Sequence, residues 1–361
     1  MVIERKNKMR ESERQVSKQS RDKAKARYDK IKKALAKKPT ILPNVKTDKL
    51  NNRIVEKNKR TRPPKGQRSA QVVNPKLLLN TPNFSGKFCI EYPTPTWFKS
   101  IDKVDVSIIV PLYKSEEVVK GLIQSWDAIN NGINVEIIFV DDQCPRNSKD
   151  TVVKQWTLRK KELEESNIKH VGKILYNTVN VGFGMTCNAG ADVATGDYLI
   201  FLNADTLVTK NWIKPIIDLL KDEEVGIVGN LQIKKGGLWD GTIDSAGSEW
   251  SWTGMSFLHI GRHTYNHKGL TQPFNLNVAP KSLFKVAERE MVTGCCIGIR
   301  RELFKAIGGF NPNYRIGYWE DSDLCLTVRE KGYKIMFQPD SKIYHLLGHT
   351  QSGAHKFQDY N

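Results

Sequence analysis

Gly196-Asp197-Tyr198-Leu199-Ile200-Phe201-Leu202-Asn203-Ala204-Asp205 is the stretch on which the fold turns. Its five apolar or aromatic residues, 198–202, read as a strand, and the next three project two oxygen-bearing side chains, Asn203 and Asp205, from the strand end. That pairing suits a hard divalent cation, because Mg2+ or Mn2+ takes one or two protein carboxylates and completes its shell with phosphates and water. An Asx-capped turn ahead of a helix at 211 fits the same tripeptide, so its surroundings must decide.

Working outward, short β-branched runs alternate with helical patterns from Asp105 onward, the mark of βαβ units and a mainly parallel sheet. Residues 106–110 form a strand closed by Pro111, and 115–130 a helix with Ser115 as N-cap ahead of Glu116 and Glu117. Strands at 135–140, 171–176 and 225–228 and helices at 148–165, 184–194 and 211–221 continue the alternation. Asp141-Asp142, Asn180, Asn203 with Asp205, and Asn230 stand at or near strand ends, and in an open α/β sheet ligands bind beyond the carboxyl ends. These residues are drawn to one crevice. Residues 232–290 break the pattern with Gly, Trp, His and Asn and read as a long irregular excursion, a length that in compact domains is usually functional. Periodicity resumes with helices at 300–307 and 320–331 and a strand at 334–338 ended by Pro339.

The chain of 361 residues carries 57 Lys+Arg against 39 Asp+Glu, a net +18, and the excess is local. Residues 1–70 hold 24 basic and 7 acidic side chains, which leaves 33 against 32 for the rest. So neutral a body excludes a fold that coats nucleic acid with its whole surface. Residues 1–75 form a basic tail too poor in large apolar residues to build a core. Within it Ala24, Tyr28, Ile31 and Leu35 align on one face of a helix, which fits a solvated tail, an anionic membrane surface or a nucleic acid. No apolar run approaches the ~20 residues of a membrane span, and the start of the chain lacks the apolar stretch of a secretory signal. The expectation is a cytoplasmic protein, at most peripheral at a membrane. Six cysteines without a CxxC pair point to reduced, mostly buried thiols rather than a zinc ribbon or a disulfide framework. His259, His263 and His267 share a spacing of four, but Gly261 and Gly269 speak against the helix that would align them on a metal. Trp239, Trp250 and Trp252 suit stacking on a sugar ring and a satellite core equally.

Six segments in this order carry a resemblance. They are the runs at 106–113 (VSIIVPLY), 138–142 (IFVDD), 180–184 (NVGFG) with Asn188-Ala189-Gly190, 196–205 (GDYLIFLNAD), 301–310 (RELFKAIGGF) and 320–324 (EDSDL). Together they resemble glycosyltransferase family 2, the inverting GT-A enzymes, and its rhamnosyltransferase-like members in particular. The resemblance covers roughly residues 105–350, so the chain divides into the tail at 1–75, a linker at 76–104 expected to pack on the core, the GT-A domain at 105–350, and a C-terminal tail at 351–361.

The resemblance implies a Rossmann-like α/β fold, a nucleotide-sugar donor, a glycan or lipid-linked acceptor, and Mn2+ or Mg2+. By position, Pro111, Tyr113 and Glu116 would line the nucleotide pocket, and Asp141 and Asp142 would meet base and ribose. Asn180, Gly182 and Asn188 correspond to the loop beside the nucleotide, and Gly294 to backbone that approaches donor and acceptor. Asn203 and Asp205 stand at the family's D-x-D position, Asp205 as the more direct metal ligand, with His345 completing the metal or diphosphate site. Asn203 departs from the commoner Asp, which removes one negative charge, and no Arg precedes Asn188. Glu320-Asp321 matches the acidic pair on the acceptor side, with Asp321 as general base. That role agrees with the chemistry, since an inverting transfer needs one carboxylate to take the acceptor hydroxyl proton. Two rivals share these features: a non-catalytic carbohydrate- or nucleic-acid-binding protein on the same fold, and a glycosyltransferase that acts on modified DNA.

Overall fold

The computed structural model describes residues 89–92 and 103–346, apart from 127–131, 147, 166–169, 238, 252–256, 263, 267–268, 272–273 and 315–316. The basic tail with its helix at Ala24–Leu35, most of the linker, and the C-terminal tail lie outside the described residues. Strand β1 (Cys89–Tyr92) precedes the alternating part: β2 (Val106–Leu112), α1 (Val118–Ser125), β3 (Val135–Asp141), α2 (Ser148–Glu165), β4 (His170–Asn177), α3 (Phe183–Val193) and β5 (Tyr198–Leu202). Short β6 (Thr206–Val208) and α4 (Ile213–Leu220) lead to the long β7 (Val225–Lys235). The excursion holds β8 (Ile243–Ser245), β9 (Ser248–Trp250), β10 (Phe257–His259), β11 (Thr264–Asn266), β12 (Gly269–Thr271) and β13 (Ala287–Glu288). The chain then forms β14 (Cys296–Arg300), α5 (Arg301–Ala306), α6 (Glu320–Glu330) and β15 (Lys334–Leu346).

The central sheet runs β1-β4-β3-β2-β5-β14-β7-β15-β13, with β6 on β15 and β8 on β7. Parallel pairs join β4, β3, β2 and β5. Strand β14 lies antiparallel to both β5 and β7, and β15 runs parallel to β7. It follows that β2, β3, β4, β5, β7 and β15 all point their carboxyl ends at one edge. Because β14 is reversed, Thr293-Gly294-Cys295 enter it from that same edge, and α6, which delivers the chain to the start of β15, begins there too.

Alternation along each strand feeds two cores. Ile108, Val110, Ile137 and Phe139 face a layer with α1, α2 and α4, in which Trp126 packs edge-on against Trp156 and Trp212 at 6.3 and 6.2 Å. Ile109, Ile138 and Val140 face α3, α5 and α6, where Phe201, Phe304 and Phe310 cluster with ring centroids 4.9–5.6 Å apart. Covering both faces explains why these strands are continuous apolar runs.

Four expectations are corrected. Asn230 is not at a strand end, because β7 continues to Lys235 with buried Asn230, Gln232 and Lys234. The excursion is therefore partly built: β8 pairs with β7, and Leu231, Ile233, Ile243, Ala246 and Phe337 form a third core. Pro339 does not end its strand. It falls in a register shift between Gln338 and Lys342, where a missing N–H is tolerated. Ser115 does not cap α1, since its hydroxyl bonds the Tyr113 carbonyl at 3.1 Å while its own carbonyl receives Val118 N and Val119 N. The six cysteines are free, and all but the half-buried Cys89 are buried. Among the described residues no helix is long and apolar enough to cross a membrane.

Candidate active site

The loops after β2, β3 and β4 are wired to one another by the residues expected to meet a nucleotide. Pro111 is half-buried in β2, and Tyr113, just past its end, is 43% exposed. Glu116 receives Arg146 Nη1 at 2.8 Å and Ser148 Oγ at 3.4 Å, which ties the start of α1 to that of α2. Asp141 accepts Cys144 N at 2.7 Å and Lys149 N at 3.2 Å, so its carboxylate shapes the turn into α2. Burial lifts its pKa, against those two amides.

Asp142 is still more committed. Its Oδ1 accepts Asn177 Nδ2 at 3.0 Å and Val181 N at 2.8 Å, and its Oδ2 accepts Gly182 N at 2.9 Å. Burial pushes its pKa up to about 6 in spite of these donors. Asn180 Nδ2 bonds the Asp142 carbonyl at 3.1 Å, and Gly182, at φ 85°, holds a left-handed backbone that admits glycine without strain and starts α3. Both aspartates thus face their own loops. Asn188 is likewise structural in its contacts: Nδ2 donates to Phe310 O at 2.8 Å and Oδ1 accepts Phe310 N at 2.9 Å. Through these bonds Asn188, the residue expected beside the nucleotide, clamps the 308–310 turn onto α3.

Past β5 the chain turns through Asn203, whose amide bonds Cys295 O at 3.0 Å and whose carbonyl accepts Thr206 Oγ1 at 2.7 Å. Asp205 follows, 7% exposed, with Oδ2 at 3.5 Å from His345 Nε2. Pairing of β6 with β15 places them side by side, since Thr206 is the register partner of His345. The other imidazole nitrogen, Nδ1, lies 2.8 Å from Asp244 Oδ2 on β8. Burial works against a charged ring, yet Asp205 and Asp244 together lift His345 to about 9. Asp244 is opposed by its burial too, but His345 and Arg262 hold it down at about 2. Gln232 Nε2 reaches Thr293 Oγ1 at 3.0 Å on the same side.

The acidic pair opens α6. Asp321 Oδ2 accepts Gly294 N at 2.8 Å, and its Oδ1 accepts the amide and hydroxyl of Ser322 at 2.7 and 3.2 Å. A Cβ on Gly294 would stand 3.3 Å from Asp321 Cβ, a tight contact that would push the carboxylate by a few tenths of an ångström. Glu320 turns inward, 6% exposed, and among the described residues its Oε2 has no hydrogen-bond partner. Burial first, and then the Asp321 charge, push its carboxyl up to about 7. Asp323, the neighbouring acid, is engaged by Asn311 Nδ2 at 3.2 Å and Tyr314 Oη at 3.5 Å. Tyr318 and Trp319, just ahead of the pair, both sit in the left-handed region at φ 75° and 74°.

Among the described residues no three His, Cys, Asp or Glu side chains converge as a ready-made metal cage. Two donors of the right kind do converge, the Asp205 carboxylate and His345 Nε2, which suffices for an ion that draws its remaining ligands from phosphate and water. Of the histidines in the excursion, His259 bonds Ser248 Oγ at 2.9 Å, while His263 and His267 lie outside the described residues. Asp244, Arg262, Gln232 and Thr293 have no counterpart in the sequence reading. No local spacing marks them, and only the continuation of β7 and its pairing with β8 brings Asp244 to the edge.

These acidic and imidazole groups gather at the carboxyl edge of the sheet, the edge at which open α/β folds bind their ligands. Residues 107–308, more than half of the chain, match the sequence profile of Glycosyl transferase family 2, and the chain belongs to that family. It is 26% identical over 245 residues to the uncharacterised protein y4gI of Sinorhizobium fredii, covering 66% of this chain and 24% of that one. It is 24% identical over 241 residues to the O-antigen biosynthesis protein RfbC of Myxococcus xanthus, covering 66% of this chain and 17% of RfbC. The chain thus spans a quarter or less of the length of these two curated relatives. Among solved structures, it is similar to GalNAc-T7 with UDP, GalNAc and Mn2+, at 18% identity and a TM-score of 0.49 over 68% of this chain and 44% of that one.

Proposed function

We propose that the chain is a nucleotide-sugar-dependent, inverting glycosyltransferase in which Asp321 takes the acceptor proton. One observation carries the reading. Two consecutive residues tie the acidic pair to the loop after β5: Gly294 N donates to Asp321 Oδ2, and the Cys295 carbonyl accepts the Asn203 main-chain N–H. The base and the Asn203-Ala204-Asp205 loop are therefore fixed relative to each other through a single short segment. Asp205 and His345, with Asn203 beside them, would hold Mn2+ or Mg2+. When bound, such an ion stabilises the negative charge of a departing diphosphate. Asp321 is held on both oxygens by N–H and O–H donors that orient it for proton transfer.

Tyr318 and Trp319, 58% and 47% exposed beside Asp321, support a sugar ring as the acceptor, in a glycan or a lipid-linked glycan. The likeness to rhamnosyl-transferring members bears on the donor, and the basic segment 1–75 on attachment to an anionic membrane or a nucleic acid. The test is nucleotide release from UDP-, GDP- and dTDP-sugars with Mn2+ or Mg2+, with and without candidate acceptors. Release with one nucleotide class, abolished by EDTA, is expected. Binding of carbohydrate or DNA with no release under any condition would establish the non-catalytic rival instead.

A further inference from the structure

We propose that Asp244 is a positioning residue for the cation site: it fixes the ring of His345 so that Nε2 faces the cation beside Asp205. The inference rests on the reading of Asp205 and His345 as cation ligands and assigns the residue that prepares one of them. Strands β8 and β15 flank the outer half of β7, and the side chains of Asp244 and His345 meet across it at 2.8 Å. A carboxylate only accepts, so His345 Nδ1 must carry the proton in that contact. Nε2 is then the nitrogen turned toward Asp205, 3.5 Å from Oδ2. That gap exceeds the usual hydrogen-bond length of ~2.9 Å. Two donors at right angles, each ~2.1 Å from one octahedral ion, stand about 3 Å apart, so a small closing movement suffices.

Asp244 is itself held from behind. Arg262 Nη2 lies 2.9 Å from Oδ1 as an ion pair, and Arg262 Nε donates to the Asp244 main-chain carbonyl at 2.9 Å. Clamped at side chain and backbone, the carboxylate cannot swing away from the imidazole. Its side chain is 1% exposed, so water does not compete for Nδ1. A carboxylate behind a ligating histidine fixes the tautomer and makes the free nitrogen a better donor, an arrangement whose loss typically costs 10–100-fold in metal affinity.

The experiment is a Mn2+ titration of the full chain, alone and with UDP or GDP, read by the electron paramagnetic resonance signal of free Mn2+. Asp244→Asn is expected to weaken Mn2+ binding about 10–100-fold. His345→Gln should weaken it too, and the double variant should bind no more weakly than His345→Gln alone, because Asp244 acts through the ring. Unchanged Mn2+ affinity in Asp244→Asn beside a weakened His345→Gln would overturn the inference while leaving the cation reading intact, as would losses that simply add. A parent chain that binds no Mn2+, or binds it independently of Asp205 and His345, would remove the cation reading and this inference with it. Should Asp244→Asn fail to fold, ¹⁵N-histidine spectra of the Mg2+-loaded parent decide: a proton on Nδ1 of His345 supports the assignment, and one on Nε2 overturns it.

Discussion

Glu136 and Glu320 are both buried acids, 1% and 6% exposed, at opposite edges of one sheet, and the fold treats them in opposite ways. At the amino edge Glu136 accepts Ser107 Oγ at 2.6 Å and Thr195 N at 2.9 Å and pairs with Lys173 Nζ at 2.9 Å. Toward the carboxyl edge, among the described residues, Glu320 Oε2 has no hydrogen-bond partner, and neither has either side-chain amide atom of Asn230 in the middle of β7. A polar group left unpaired in the interior costs about 1–3 kcal/mol. Stability alone accounts for the first edge and gives no reason for the second, which is where an active site is expected to carry such a cost.

The sharpest way to break that comparison is to remove the proposed base. Asp321→Asn keeps the size of the side chain but cannot accept a proton, so transfer should fall ~10²–10⁴-fold while nucleotide affinity stays near that of the parent. A loss below about tenfold would shift the role to another carboxylate, with Asp323 the nearest in sequence. Next in size is Glu136→Ala. It removes the carboxylate that pairs with Lys173 and accepts from Ser107 and Thr195, and should cost about 3 kcal/mol in urea unfolding, whereas Asp321→Asn, at a half-buried side chain, turns its amide NH2 toward one N–H donor and should cost only about 1 kcal/mol. Equal stability losses at the two edges would erase the distinction between them.

How much of this was legible in the sequence follows the same division. Strands β2, β3 and β5 are buried on both faces and announce themselves as apolar runs, and the strand-end Asp205 follows from where β5 stops, whereas the acidic pair lies in the first turn of α6 and is marked only by the family resemblance. The outer half of β7 hides because Asn230, Gln232 and Lys234 are polar yet buried, so no apolar run survives to be read. Asp244 then becomes invisible, since its place depends on a strand pairing across the excursion. Asp142 and Asn188 show another side of the division: their bonds to loop amides and to the 308–310 turn depend on backbone geometry that no local spacing in the sequence announces.

A third effect is expected in the pH dependence. The carboxyl of Glu320 sits at about 7 in the folded chain against an ordinary 4.5, so between these values the folded state binds more protons than the unfolded one. By linkage this contribution to stability is fully present below the lower value and is lost as pH rises through the higher one. Glu320→Gln should remove that slope and leave the variant more stable than the parent above pH 7, by on the order of 2–3 kcal/mol. Urea midpoints of parent and variant at pH 5, 6, 7 and 8 should therefore diverge with pH. Parallel curves would mean that the inward-facing acid is compensated after all, and the two edges would be alike.

The smallest effect concerns Trp319, which is 47% exposed while its backbone holds φ 74° directly before the acidic pair. A left-handed conformation in a bulky residue costs about 1–3 kcal/mol and persists where its surroundings impose it. Glycine would adopt it freely, so Trp319→Gly should lose less stability than Trp319→Ala, or gain some, by about 1 kcal/mol. Aromatic stacking contributes ~0.5–1.5 kcal/mol, so both variants should raise the acceptor KM about 2–10-fold with the donor KM unchanged, and Trp319→Phe should restore most of the loss. Stability and acceptor binding would then move in opposite directions at one position, the signature of a conformation kept for the acceptor. If Trp319→Gly is as active as the parent, the strained pair does not contact the acceptor and the ring only packs over the turn into α6.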